Sequence, residues 1–233
     1  MSFLTKILEQ SKLYIQHEEA QRYLKQRGFD AQQITDLGLG YFPEDVWPLR
    51  FKGELGDVGA WNHWSKNGWR VKGKLVFPIT NARGLLRGIQ IRSPDPEQKD
   101  YSKFYLEAAG IDAVFFGTPL AMPVIWKTRS VYLCEGLFDL PPLLRIWPNT
   151  LCTGTANVSR LQMEFLRRYV DEVNVVFDAD WGGDLFWNRF EREYARYFSK
   201  TRRVELGAKD PSDLWAKLGD EKLAEMLKGR NLT

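Results

Sequence analysis

The sequence predicts an α/β fold, with a four-stranded parallel sheet flanked by helices and a smaller mixed α+β subdomain before it. Three observations predict this. From about residue 128, β-rich apolar runs alternate with stretches of helical spacing, and parallel neighbours need such crossovers. Upstream the pattern differs: "KLVFPIT" and "LLRGIQIR" flank the turn sequence "NARG", as in a β-hairpin. Finally, each acidic motif of the second half stands at the carboxyl end of an apolar run, where open parallel sheets bind ligands. The division expected is 1–127 for the first subdomain, 128–210 for the parallel-sheet domain and 211–233 for a short helical segment.

Taken in order, "QHEEAQRYLKQR" has helical spacing and stops at Gly28, and "AQQITDLG" gives a second short helix leading into "LGYFP". Residues 54–73 are aromatic and glycine-punctuated, read as a short helix and a loop, and "SPDPEQKDYS" is a polar surface loop. "SVYLCEG" is the first strand of the parallel sheet. "LFDLPPLLRIW" is a helix whose prolines must lie in its first turn, because proline lacks the N–H that later turns require. "NTLCTG" is the second strand, "VSRLQMEFLRRYV" an amphipathic helix, "EVNVVFD" the third strand, "GDLFWNRFEREYARYFSK" a long helix and "RRVEL" the fourth strand. Arg189, Arg192, Arg196 and Lys200 recur at helical spacing. They are read as the solvated face of that helix, with Phe190, Tyr194, Tyr197 and Phe198 packed inward.

Composition narrows the chemistry. A net charge of +3 permits a polyanionic partner without requiring one. Cys134 and Cys152 each lie in an apolar run, and His17 and His63 are isolated, so neither a disulfide framework nor a Cys/His metal site is expected. With no signal-like apolar start and no run of membrane-spanning length, a cytoplasmic protein is expected.

The carboxylates remain. Glu135 ends the first strand, Asp178 and Asp180 the third, and Asp210 follows the fourth. Asp178 and Asp180, two apart on an extended chain, face one spot and repel unless a cation lies between them. Four carboxylates at one sheet edge suit a hard divalent cation such as Mg²⁺ or Mn²⁺, which is typically shared with substrate phosphates. Gly182 and Gly183 let a phosphate approach the backbone at a helix N-terminus. Base stacking on Trp61, Trp64 or Trp69 is conceivable, with core packing the commoner use of such rings.

"CEGLFD", "TGTANVS", "FDADWGGD" and "GAKDPSDLW", in that order, resemble the Toprim domain of DnaG-type bacterial and phage DNA primases. "YLKQRGFDAQQITDLGLGYFP", "GKLVFPITNARGLLRGIQIR" and "SKFYLEAAGIDAVFFGT" resemble the subdomain that precedes it, so the likeness runs over about residues 18–218. The resemblance implies RNA primer synthesis on single-stranded DNA from ribonucleoside triphosphates. It places Glu135 nearest the chemistry, Asp178 and Asp180 as paired metal ligands and Asp210 as the completing ligand. Asp139 and Asp184 support the ligands from behind, and Lys74, Arg92 and Lys103 face template or nucleotide. A replicative helicase and a separate zinc-binding module are the implied partners, since no Cys/His ribbon precedes the core.

Two departures stand out. Trp181 occupies a position where the family commonly has arginine, and Ser212 one where it often has aspartate. Two alternatives follow: a Toprim-type metal-dependent nuclease, or a metal-impaired accessory protein that binds single-stranded DNA. A topoisomerase would need a tyrosine-bearing gate domain for which there is no room. A phosphatase would carry its D-x-D on the first strand rather than the third.

Overall fold

A computed structural model describes residues 3–46, 72–94, 103–107, 115–155, 157–177, 180–206 and 211–230. The first part holds helices α1 (Phe3–Lys12), α2 (Glu18–Gln26) and α3 (Ala31–Asp36). An antiparallel sheet of β1 (Gly40–Phe42), β2 (Lys74–Thr80), β3 (Leu86–Arg92) and β4 (Lys103–Glu107) follows, in the order β1-β2-β3-β4. Then come α4 (Thr118–Thr128), β5 (Ser130–Cys134), α5 (Leu140–Ile146), β6 (Thr150–Cys152), α6 (Arg160–Tyr169) and β7 (Glu172–Val176). The chain ends with α7 (Trp181–Tyr194), a 3₁₀ turn (Ala195–Tyr197), β8 (Lys200–Arg203) and α8 (Pro211–Arg230), which is broken at Gly219.

The second sheet is parallel throughout, in the order β6-β5-β7-β8. The expected four-stranded parallel sheet with a smaller mixed subdomain before it is therefore present. Its strands are covered on both faces, and alternation along each strand sorts the side chains. Val131, Leu133, Val173, Val175 and Phe177 join Ile125, Leu166, Phe186 and Phe190 in one core. Cys134, Cys152 and Val176 face the other way, into a core shared with Leu24, Phe77, Phe116, Leu143 and Leu223. That shared core, with antiparallel bridges Thr80↔Phe115 and Phe116↔Cys152, fuses the two sheets into one body.

Local signals account for several boundaries. Asp30 with Gln33 and Ser159 with Gln162 form reciprocal capping boxes that start α3 and α6. Pro141 and Pro142 sit in the first turn of α5, where their missing N–H groups cost nothing. The hairpin of β2 and β3 is where the alternation predicts it.

The helix expected over 183–200 is shorter. It ends at Tyr194, and Lys200 already begins β8 opposite Glu172. Tertiary contacts decide this: the Phe198 ring stacks parallel on Phe190 at 6.0 Å, and the Ser199 N–H donates to the Asp171 carbonyl. The inward set is corrected accordingly, because Tyr197 is exposed while Phe190 and Phe198 are buried. The strand expected at "RRVEL" begins and ends earlier, at Lys200–Arg203. Helices α1 and α4 and strands β1 and β4 have no counterpart in the sequence expectations. Trp61, Trp64, Trp69 and most of the 54–73 segment lie outside the described residues.

Candidate metal and nucleotide site

Glu135 is the residue immediately after β5. The register that pairs Cys134 with both Cys152 and Val176 sets its backbone at the carboxyl edge of the sheet, between the ends of β6 and β7. The end of β6 clamps it. The Thr153 N–H donates to the Cys134 carbonyl at 2.9 Å, and the Gly154 N–H to the Glu135 carbonyl at 3.1 Å. The Cys152 thiol adds a third bond, to the Glu135 carbonyl at 3.1 Å. Cys134 and Cys152 are both free and buried, and burial, reinforced by the neighbouring Cys152, pushes the Cys134 thiol up. A buried neutral thiol is a packing group rather than a nucleophile.

Asp139 organises the turn that follows. It is 6% exposed, its Oδ2 accepts the Gly136 N–H at 3.0 Å, and its Oδ1 accepts the Ser212 N–H at 3.2 Å. One carboxylate thus ties the Glu135-Gly136 turn to the start of α8, the helix that follows "KDP". A Cβ on Gly136 would lie 2.4 Å from that carboxylate, so the close approach requires glycine there.

Asp180 caps α7, its Oδ1 accepting the Gly183 N–H at 2.9 Å. A carboxylate has capacity left after one such bond. Gly182 keeps the cap compact, since a Cβ there would meet Asp180 Oδ1 at 3.2 Å. Asp184, in the first turn of α7, pairs with Arg203 at 2.6 Å, and Arg203 also reaches Glu205 at 3.6 Å. Sequence patterning singled out Asp184 but not Arg203, which sits inside the polar "TRRVE" run with no spacing to mark it. Trp181, at 77% exposure, projects into solvent beside the cap.

The basic residues of the first sheet share one end. Arg92 is opposite Leu75 on one side and Lys103 on the other, while Lys74 begins β2 opposite Phe42. Lys74 is 5% exposed, so it is part of the packed structure rather than a solvated surface lysine. This end meets the Glu135 turn. The Arg92 guanidinium lies 5.4 Å from the Phe138 ring and that of Arg27 lies 5.0 Å from it, both within cation–π range. Phe77 and Tyr23 pack edge-on against the same ring. Arg27 is a cation that helical spacing alone did not distinguish from its neighbours; only the fold brings it to Phe138.

Asp178 and Asp210 lie outside the described residues, as does the side chain of Lys103. Among the described residues, no three or more His, Cys, Asp or Glu side chains group closely enough to hold a metal. Of the described residues, Glu135 after β5 and Asp180 at the start of α7 are oxygen donors at this carboxyl edge, the type that a hard cation takes. A cavity of about 680 Å³ lies between α2, α3 and α8, lined by Phe29, Ile34 and Trp215, and none of the predicted site residues line it.

Residues 132–215 match the Toprim-like family model. Along 91% of its length the chain is similar to the DNA primase of Halalkalibacterium halodurans, at 24% identity, and it spans 38% of that protein. Among solved structures, it resembles the zinc-binding and RNA polymerase domains of the Aquifex aeolicus primase, with a TM-score of 0.80, 21% identity and coverage of 97% of this chain and 59% of the other. It also resembles a DnaG primase catalytic domain bound to ssDNA, with a TM-score of 0.78, 18% identity and coverage of 97% and 79%. The chain thus shares the fold of these solved primase domains, and residues 132–215 of it are similar to the Toprim-like family.

Proposed function

We propose that this chain is the catalytic core of a DNA primase, which joins ribonucleotides on a single-stranded DNA template by metal-dependent nucleotidyl transfer. The observation that carries this reading is the bridge through Asp139, which links the Glu135 turn to the start of α8 and so joins two acidic motifs far apart in sequence. The comparison with a DnaG catalytic domain bound to ssDNA supports the choice of template.

In this reading Glu135, Asp178, Asp180 and Asp210 hold Mg²⁺ or Mn²⁺. When bound, such an ion neutralises phosphate charge and orients the attacking hydroxyl. Asp139 holds the Glu135 turn in place, and Asp184 with Arg203 steadies the first turn of α7. Lys74, Arg92 and Lys103 offer charge to template or nucleotide phosphates, and Gly182 and Gly183 allow close approach at the cap. A replicative helicase and a zinc-binding module are its proposed partners. No helix among the described residues is long and apolar enough to cross a membrane; the primase reading itself assigns the work to the cytoplasm.

The test is dinucleotide and primer synthesis on single-stranded template with ribonucleotides and Mg²⁺ or Mn²⁺, with Glu135→Gln as control. Product from the wild type and none from the variant is expected. Equal product from both refutes the role of Glu135, and metal-dependent nicking without nucleotides assigns a nuclease instead. Ser212 favours a second reading, a metal-impaired protein that binds single-stranded DNA, because its buried position offers no carboxylate where the family often has one. DNA binding without Mn²⁺ binding in calorimetry would select it.

A further inference from the structure

A second concave site lies at the other end of the β2–β3 hairpin. The strands run from the Leu75↔Arg92 pair to the Thr80↔Leu86 pair, so at about 3.3 Å per residue this end is roughly 15–20 Å from Arg92. The connecting turn is built to hold its shape. Asn81 Oδ1 accepts the Arg83 and Leu85 N–H groups at 3.0 and 3.1 Å. The Gly84 N–H donates to the Asn81 carbonyl at 2.9 Å, with Gly84 at φ 76°, a conformation in which side chains are strained. Arg83 therefore projects from an ordered turn.

Opposite stands α6. Leu161, Glu164, Phe165 and Arg168 are spaced along one helical face and form the far wall of a groove of about 370 Å³. Arg83 and Arg87 line the near wall, and Tyr169 closes one end, its ring 5.0 Å from Phe165. Among the described lining residues stand three arginines, Arg83, Arg87 and Arg168, and one carboxylate, and the Arg168 guanidinium lies 5.5 Å from the Tyr169 ring. That carboxylate, Glu164, already accepts from Arg160 at 2.9 Å. Arginines converging on a concave surface match the planar, bidentate geometry of phosphate oxygens, and an aromatic edge beside them suits a base or sugar. None of the acidic site residues takes part.

We propose that this groove binds a phosphate-bearing ligand, independently of divalent metal and separately from the carboxylate edge. The phosphate could belong to a nucleic-acid backbone or to a free nucleotide, and the chemistry of recognition is the same.

The experiment measures binding of the full chain in EDTA to a fluorescent oligo(dT) and, separately, to ATP, for the wild type and for Arg83→Glu/Arg168→Glu. Both positions are exposed, and circular dichroism checks that the fold is kept. The milder Arg83→Ala, at the turn alone, serves if the double variant does not fold. A loss of about tenfold or more in oligonucleotide affinity, with a salt slope lower by about one per phosphate contact removed, supports the proposal with a nucleic-acid strand as ligand. Weakened ATP binding with unchanged oligonucleotide binding supports it with a nucleotide as ligand. Unchanged affinity for both overturns it. The assay contains EDTA and reads no polymerisation, so failure here is distinguishable from failure of the polymerase assignment.

Discussion

The turns that follow β5 and β7 lie at the same edge of one sheet, yet they are held in opposite ways. After β5, Asp139 is buried and both its oxygens accept backbone N–H groups, one from its own turn and one from α8. After β7, Asp184 is more than half exposed, its carboxylate reaches a single arginine, and Trp181 stands in solvent beside it. The first acid is an internal tie whose loss strands two donors, whereas the second is a surface contact that water can replace. Proximity to a candidate site does not make two carboxylates equivalent; what decides their weight is how many groups would be left without a partner.

Substitutions can break this contrast. Asp139→Ala removes the acceptor of one buried and one part-buried N–H group and is expected to destabilise by roughly 1–3 kcal/mol in urea unfolding. Gly136→Ala drives a Cβ against the same carboxylate and is expected to cost about 1–3 kcal/mol. Should both prove neutral, the β5 turn is no better anchored than the β7 cap. Asp184→Asn is expected to cost less than about 1 kcal/mol, because the pair with Arg203 is largely solvated on the carboxylate side. A larger loss would mean that the cap depends on Arg203 more than exposure suggests.

The smallest effect sharpens the comparison by pH. At the opposite edge of the sheet, Arg129 donates two hydrogen bonds to Asp171, which hold its carboxyl below the usual carboxylate range. A depressed folded value means that the stabilisation is complete above the unfolded value of about 4 and fades as pH falls through the lowered folded one. A small acid-side decline in Tm that Asp171→Asn removes is expected from thermal melts between pH 6 and 2. An identical decline in the variant would assign it to other carboxylates.

Much of the parallel-sheet half was legible because its signals are local. The β-branched runs, the prolines of α5 and the amphipathic spacing of α6 each act within a few residues, and β5, α5, β6, α6 and β7 formed where they point. The end of α7 was not legible. "FEREYARYFSK" has good helical spacing, and only the stacking of Phe198 on Phe190 and the pairing of Lys200 with Glu172 turn the chain out of the helix. Strands β1 and β4 were missed for a related reason: a strand of three to five residues declares itself through its neighbour in the sheet more than through its own letters.

By itself, then, the sequence determined the alternation of elements, the parallel sheet, and the place of Glu135 directly after its first strand, since each depends on the short-range periodicity and chain order of the residues. The tertiary structure alone decided which polar groups meet: Asp139 with Ser212, Arg203 with Asp184, Arg27 and Arg92 with Phe138, and three arginines around one groove. Most of those meetings join residues far apart in the chain, as Asp139 and Ser212 are. Hydrogen bonds and ion pairs leave no periodic trace in a chain, because they require only that two groups arrive at the same place.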